Sequence, residues 1–326
     1  MELRKIQRTR GGTFFVTLPK EWAVRSGLNR GSVVSTSITP NGRLVIDPKY
    51  DLERTLRTAV VKPSPHLSRE IIGKYLLGYD VIRVEAKDRI TIDQREIIRE
   101  TSSRLVGLEI IEEDYGKVVI QCLLEPSALP PDKILRREHL ITSGMYRDVV
   151  AALVKGDVQL AKSVTIRDNE VDRLYFLLVR ILRTVIQNPA LSEKLEVFPI
   201  DCLDYRLTAS LVESVGDLSS QIAEYVIRLN GKKLPENVLN PLSNLQKTVY
   251  ESYQDAVAAF LSKSISIAES VRKRRDEVGE KHRQVESACN ALPIDIAQSL
   301  IAITSLISSI YDHSVDISDL TTPRMH

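Results

Sequence analysis

Residues 210–220 read SLVESVGDLSS. Glu213 and Asp217 stand four positions apart in a run of small and apolar residues, with Gly216 directly before the aspartate. On a helix that spacing puts both carboxylates on one face, where like charges cost roughly a few tenths of a kcal/mol. Two readings of the pair are open. It is either a set of surface acids capped by arginines such as Arg167 and Arg206, or a source of hard oxygen donors for a cation that removes the repulsion. A third chemistry, that of the carboxylate-bridged iron enzymes, needs a Glu-x-x-His motif on a bundle helix. No such motif surrounds Glu213, and His139, His282 and His313 are not at that spacing from it. The chain is not read as an enzyme.

The elements that must hold this pair belong to a long chain. At 326 residues, two or three domains are expected. Hydrophobic residues make up 43% and charged residues 27%, an ordinary composition for a water-soluble protein. No apolar run approaches the ~20 residues that cross a bilayer. The start, MELRKIQRTR, lacks the apolar core of a signal peptide. A cytoplasmic protein without membrane insertion is expected. Cys122, Cys202 and Cys289 lack the count and spacing of a disulfide framework or zinc site and read as buried small hydrophobes. Net charge is only +2, but residues 1–50 carry nine Lys and Arg against Glu2, Glu21 and Asp47.

Three segments follow from the patterns, a multidomain architecture. Residues 1–50 alternate as short strands around RGG and PNG, with one short helix after Pro19, and are too few to enclose a core without a partner copy. Residues 51–130 alternate strands (RTAVVK, DVIRVEA, LEIIEED, KVVIQCLL) with two helices and close in a hairpin at DYGK, predicting a small α/β connector domain. The proline-rich EPSALPPDK marks a boundary near residue 130. Beyond it, in 131–326, helices are predicted over 135–155, 157–188, 200–230, 239–262, 264–288 and 294–320.

These helices repeat. LAKSVTIRDNEVD at 160–172 lies over IAESVRKRRDEVG at 267–279, and ESVGDLSSQIAE at 213–224 lies over SSIYDHSVDISD at 308–319. The offsets are 107 and 95, because the second half lacks much of the connector between Pro189 and Pro199. The tail is therefore read as two tandem three-helix bundles, at about 135–231 and 236–320.

With Asp168, Val171 and Asp172 on its second helix and Glu213, Gly216 and Asp217 on its third, the tail resembles the PhoU family of phosphate-uptake regulators. The resemblance covers roughly 135–320 and is most specific in ESVGDLSSQIAE. It implies a metal site built from Asp168, Asp172, Glu213 and Asp217. All-oxygen ligation suits a divalent or trivalent ion, Mg, Mn, Ca or Fe, more than Zn in a structural role. Gly216 would let a helix or ion approach closely, at about 1 kcal/mol relative to Ala. In the second half the ungapped alignment puts Arg275, Gly279 and Ser308 opposite Asp168, Asp172 and Glu213, leaving Asp312 beside His313. A shift of one residue offers Asp276 and Glu280, so a weaker or absent second site of Asp276, Glu280 and Asp312 is expected. The basic run RKRRDE at 272–277 reads as a solvated or interface face.

The first segment, GGTFFVTLPKEWAVRSGLNRGSVVSTSITPNGRLVIDP, is similar to the swapped-hairpin domains of the AbrB or SpoVT type. That resemblance implies two chains intertwined in one small β dimer whose basic face meets DNA. Lys5, Arg8 and Arg10, on or beside the first strand, would face a groove, with Lys20 and Arg25 as phosphate contacts. Phe15 and Trp22 are read as core. Head and tail together resemble archaeal phosphate-uptake regulators. They imply a homodimeric transcriptional regulator of phosphate homeostasis that binds operator DNA, and whose tail senses a metal or a partner such as a phosphate transporter ATPase or sensor kinase. The alternative is an adaptor that dimerises through the head and inhibits a phosphate ABC transporter or a sensor kinase by protein contact.

Overall fold

A computed structural model describes residues 3–38, 42–48 and 56–322. The chain divides into two compact units, Met1–Leu56 and Arg57–His326. In the first, β1 (Gln7–Arg8) pairs antiparallel with β2 (Phe14–Phe15), α1 spans Lys20–Arg25 after Pro19, and β3 (Ser35–Ile38) pairs antiparallel with β4 (Leu44–Asp47). The β1–β2 ribbon is far shorter than the alternation at 2–9 and 13–19 predicts, because an isolated two-stranded ribbon holds few ladder bonds. Most of the turn predicted at PNG lies outside the described residues. None of the described residues of this unit is buried: Phe14 is 66% exposed and Ile38 76%. Phe15 and Trp22 thus form no core within one chain.

The second unit opens with β5 (Thr58–Val61), α2 (Leu67–Leu76), β6 (Val81–Glu85), α3 (Ile92–Ser103), β7 (Leu108–Glu113) and β8 (Lys117–Cys122). The sheet order is β5-β6-β8-β7, with β5 parallel to β6 and the other pairs antiparallel. The β7–β8 turn falls at the predicted DYGK, where Asp114 Oδ1 accepts from the Gly116 and Lys117 amides at 2.8 and 2.9 Å. Thr91 and Gln94 form a reciprocal capping box that starts α3. Ile71, Tyr75, Ile82, Val84, Ile98 and Ile120 are buried in the core of this segment.

This segment and the tail lie in one compact unit, with one buried apolar cluster on each side of residue 130. Pro131 is the first residue of a helix instead of part of a linker, a position where the missing N–H costs nothing. Arg180 then joins the two layers. It is 2% exposed, donates to the Tyr75 and Tyr79 carbonyls at 2.7 and 2.8 Å, and meets Asp80 at 3.5 Å.

The tail comprises α4 (Pro131–Lys155), α5 (Val158–Gln187), α6 (Pro189–Leu195), α7 (Asp201–Leu229), α8 (Glu236–Ser262), α9 (Ile265–Lys273), α10 (Arg275–Cys289) and α11 (Ile294–Asp319). α4, α5 and α7 pack on one another, α8 packs on α9, α10 and α11, and one apolar core runs through both groups. The short α6 was not predicted. Asn188 caps it by accepting from the Leu191 amide at 3.1 Å, and Pro189 is its first residue. The single helix predicted over 264–288 is broken at Arg274. There the Val271 carbonyl accepts from both the Arg274 amide at 3.2 Å and the Tyr311 hydroxyl at 2.9 Å. The Arg167–Asp148 pair at 2.9 Å and the Arg274–Asp255 pair at 2.6 Å use residues 107 positions apart. Among the described residues α11 is long and apolar enough to cross a membrane by length and composition, but its Leu300, Ile303, Ile307 and Ile310 are in the core. All three cysteines are buried and unbridged.

Candidate metal centre

Two helices supply the four predicted carboxylates. Asp168 and Asp172 lie one turn apart on α5, Glu213 and Asp217 one turn apart on α7. Gly216 stands where α7 meets both other helices of the group. A Cβ there would be 3.4 Å from Thr142 Cγ2 of α4, 3.4 Å from Val171 Cγ1 and 3.5 Å from Asp168 Oδ1. Asp168, Asp172 and Glu213 are half-buried and Asp217 is exposed.

The carboxylates feel one another. Burial raises Asp168 to about 6, with Asp217 and Asp172 adding repulsion. Burial raises Glu213 to about 7, reinforced by Asp217, Asp172 and Asp168 and opposed by Arg206. Burial and then Asp172 raise Asp217 as well. Arginine caps do not account for the cluster. Arg167 pairs with Asp148, and Arg206 lies over the Tyr175 ring at 4.6 Å; among the described residues neither makes an ion pair with the four acids. The ion pair found within the set joins Asp172 to Arg104 of the α/β segment at 3.5 Å.

The donor set is all oxygen and mutually repelling, which suits a hard cation. Among the described residues, no three His, Cys, Asp or Glu side chains converge closely enough to hold an ion as they stand. The four acids therefore share one field without meeting at one point. Their chemistry and the gap at Gly216 fit a cation, and Asp168, Asp172, Glu213 and Asp217 are the residues that would hold it. A bound cation supplies the positive charge that offsets their repulsion.

The second half is built differently. Tyr311 occupies the position of Gly216 at the offset of 95, and its ring is buried. Ser308, opposite Glu213, meets His282 Nδ1 at 2.7 Å. Glu280 is exposed and paired with Arg283 at 2.7 Å, whose hydrogen bond holds it below the usual carboxylate range. Asp276 and Asp312 are exposed, and both act on the Tyr311 hydroxyl. These three acids share no half-buried field like that of the first half.

Sequence reasoning missed Glu138. It is fully buried on α4, burial and Glu213 hold it well above the ordinary carboxylate range, and neither of its oxygens is hydrogen-bonded. The available signal was a glutamate inside the apolar stripe of Leu135, Thr142, Met145, Tyr146 and Val149.

The basic residues of the first unit are placed less regularly than alternation suggests. Arg8 is within β1, its guanidinium 5.4 Å from the Phe14 ring centre, while Lys5 precedes the strand and Arg10 is in the turn. Lys20 and Arg25 are the first and last residues of α1. All five are exposed.

The PhoU domain family matches this sequence over residues 135–226 and 242–321. The fold is similar to the crystal structure of PhoU from Pseudomonas aeruginosa, with a TM-score of 0.54 and 18% identity over 60% of this chain and 95% of that one. It is also similar to the phosphate transport system regulatory protein PhoU from Streptococcus pneumoniae, with a TM-score of 0.50 and 16% identity over 59% of this chain and 91% of that one. The curated proteins contain no match.

Proposed function

The chain belongs to the PhoU domain family, and from that premise we propose that it is a homodimeric cytoplasmic regulator of phosphate uptake and homeostasis, not an enzyme. In this reading the tail is two tandem three-helix units, the first of which holds a divalent or trivalent cation through Asp168, Asp172, Glu213 and Asp217. The first unit is a swapped-hairpin dimer of the AbrB type that binds operator DNA through Lys5, Arg8, Arg10, Lys20 and Arg25.

The observation that carries the reading is the pairing of a desolvated acid field in the tail with a small basic segment in which none of the described residues is buried. A ligand that favours one arrangement of the tail shifts the populations that the head reports. The absence of a buried residue among those described before Ala59 favours a second reading as well. A second copy would cover Phe14, Phe15 and Ile38 whether or not DNA is bound. The protein would then be an adaptor acting on a transporter ATPase or sensor kinase.

The test is binding of the full chain to its own upstream DNA across a salt series. The regulator reading expects affinity to fall steeply with salt, and to be weakened with a shallower slope by Arg8→Ala and Arg10→Ala. A dimer with no detectable affinity for that DNA would leave the adaptor reading in its place.

A further inference from the structure

The deepest acid in the tail lies outside the four carboxylates. Glu138 is 0% exposed, and neither Oε1 nor Oε2 has a hydrogen-bond partner. Its neighbours along the same α4 stripe, Ile134, Leu135, Met145 and Tyr146, are buried apolar residues. An unpartnered carboxylate in such a place is one of the least favourable arrangements in a protein interior.

Local groups do not relieve it. The Thr142 hydroxyl, one turn further along α4, is engaged with the Tyr253 hydroxyl at 2.7 Å and with the Glu138 and His139 carbonyls. The His139 ring packs edge-on against Tyr253 at 4.8 Å, and burial holds it neutral. The geometry does indicate a direction. Thr142 is the residue that α4 sets against Gly216, and Glu213 lies one turn before Gly216 on α7, as Glu138 lies one turn before Thr142 on α4. Among the charges acting on Glu138, that of Glu213 is the largest, ahead of Arg206.

We propose that Glu138 is a fifth carboxylate of the cation site, reaching it from α4 beside Glu213, so that one bound cation ties α4, α5 and α7 together. This rests on the cation-binding reading of Asp168, Asp172, Glu213 and Asp217, which by itself involves only α5 and α7. Glu138 supplies the buried end of the site. Its orphaned oxygens are the groups that a cation would satisfy and that no protein donor does.

The experiment uses the metal-stripped full chain titrated with Mn2+ alone in a calorimeter, together with melting temperatures with and without Mn2+. Wild type is compared with Glu138→Gln, Glu138→Leu and Glu213→Gln. Wild type is expected to bind, and both Glu138 variants to bind at least about tenfold more weakly. Glu138→Leu is expected to melt higher than wild type without metal, and to gain less when Mn2+ is added. Should the leucine variant fail to fold, the near-isosteric glutamine carries the test. Unchanged Mn2+ affinity in both Glu138 variants, alongside loss in Glu213→Gln, overturns the proposal and leaves the four-acid site standing. No Mn2+ binding by wild type overturns the cation reading itself, and the role of Glu138 with it.

Discussion

Arg104, immediately after α3, reaches Asp172 on α5 across 3.5 Å. The α/β segment thus contributes the countercharge paired with the acid field of the tail. Both side chains are partly solvated, so the pair stabilises the fold by no more than about 1 kcal/mol. Arg104→Ala should leave the denaturation midpoint nearly unchanged while raising Mn2+ affinity by about two- to fivefold, because a cation no longer competes with a guanidinium for Asp172. Calorimetric titration checks this, and a fall in affinity would mean that Arg104 positions Asp172 as a ligand.

Stability without metal should depend on pH in a direction unusual for carboxylates. Asp168 and Glu213 are held at about 6 and about 7, above their unfolded values of about 4. The native chain therefore binds protons more tightly than the unfolded chain across that window, and stability falls as pH rises through it. The charges of Asp217 and Asp172 reinforce the effect at both groups, and Arg206 opposes it at Glu213. The melting temperature of the metal-free protein should drop between about pH 5 and 7.5. The drop should shrink in Asp168→Asn/Glu213→Gln.

The junction between the sheet layer and the helices should depend on one side chain. Removing Arg180 takes the guanidinium donor from the Tyr79 carbonyl and from the Tyr75 carbonyl, which keeps the Gly78 amide, and takes a positive charge from beside Asp80. Arg180→Ala should cost about 3–5 kcal/mol in a urea titration. Combining it with Asp80→Asn should recover part of that loss, since the second change removes the negative charge and keeps an acceptor for the Arg57 amide.

Gly216→Ala separates packing from ligand access. Its contacts of 3.4–3.5 Å are ordinary for a methyl group, and Ala is favoured over Gly within a helix by about 1 kcal/mol. The metal-free variant should be as stable as wild type or up to about 1 kcal/mol more so. Mn2+ should bind it more weakly, because the methyl stands beside Asp168 Oδ1. Parallel melting curves and titrations would expose an error in either half of this expectation.

Much of the fold was legible because its signals are local. The strands Val81–Glu85 and Lys117–Cys122 alternate or run apolar between clear turns, and α5 and α7 carry apolar residues at helical spacing along their whole lengths. The acids at 168, 172, 213 and 217 were legible as two pairs, and the structure brings the pairs within one field. Glu138 was not, because a lone glutamate on an amphipathic helix ordinarily faces water, and this one is buried in the folded tail. The break at Arg274 was hidden for a similar reason. Neither proline nor glycine occurs there, and the side chain that meets the backbone at the break is a tyrosine from α11, about forty positions away.

The exchange of Gly216 for Tyr311 should make the two halves of the tail respond differently to solution conditions. In one half, half-buried acids surround the glycine position; in the other, a tyrosine fills the corresponding position and its hydroxyl donates to the Val271 carbonyl. Amide hydrogen exchange should show this as a partition along one chain. Protection in α5 and α7 should change with added Mn2+, while protection in α10 and α11 stays level, so that α10 and α11 act as an internal control within the same chain.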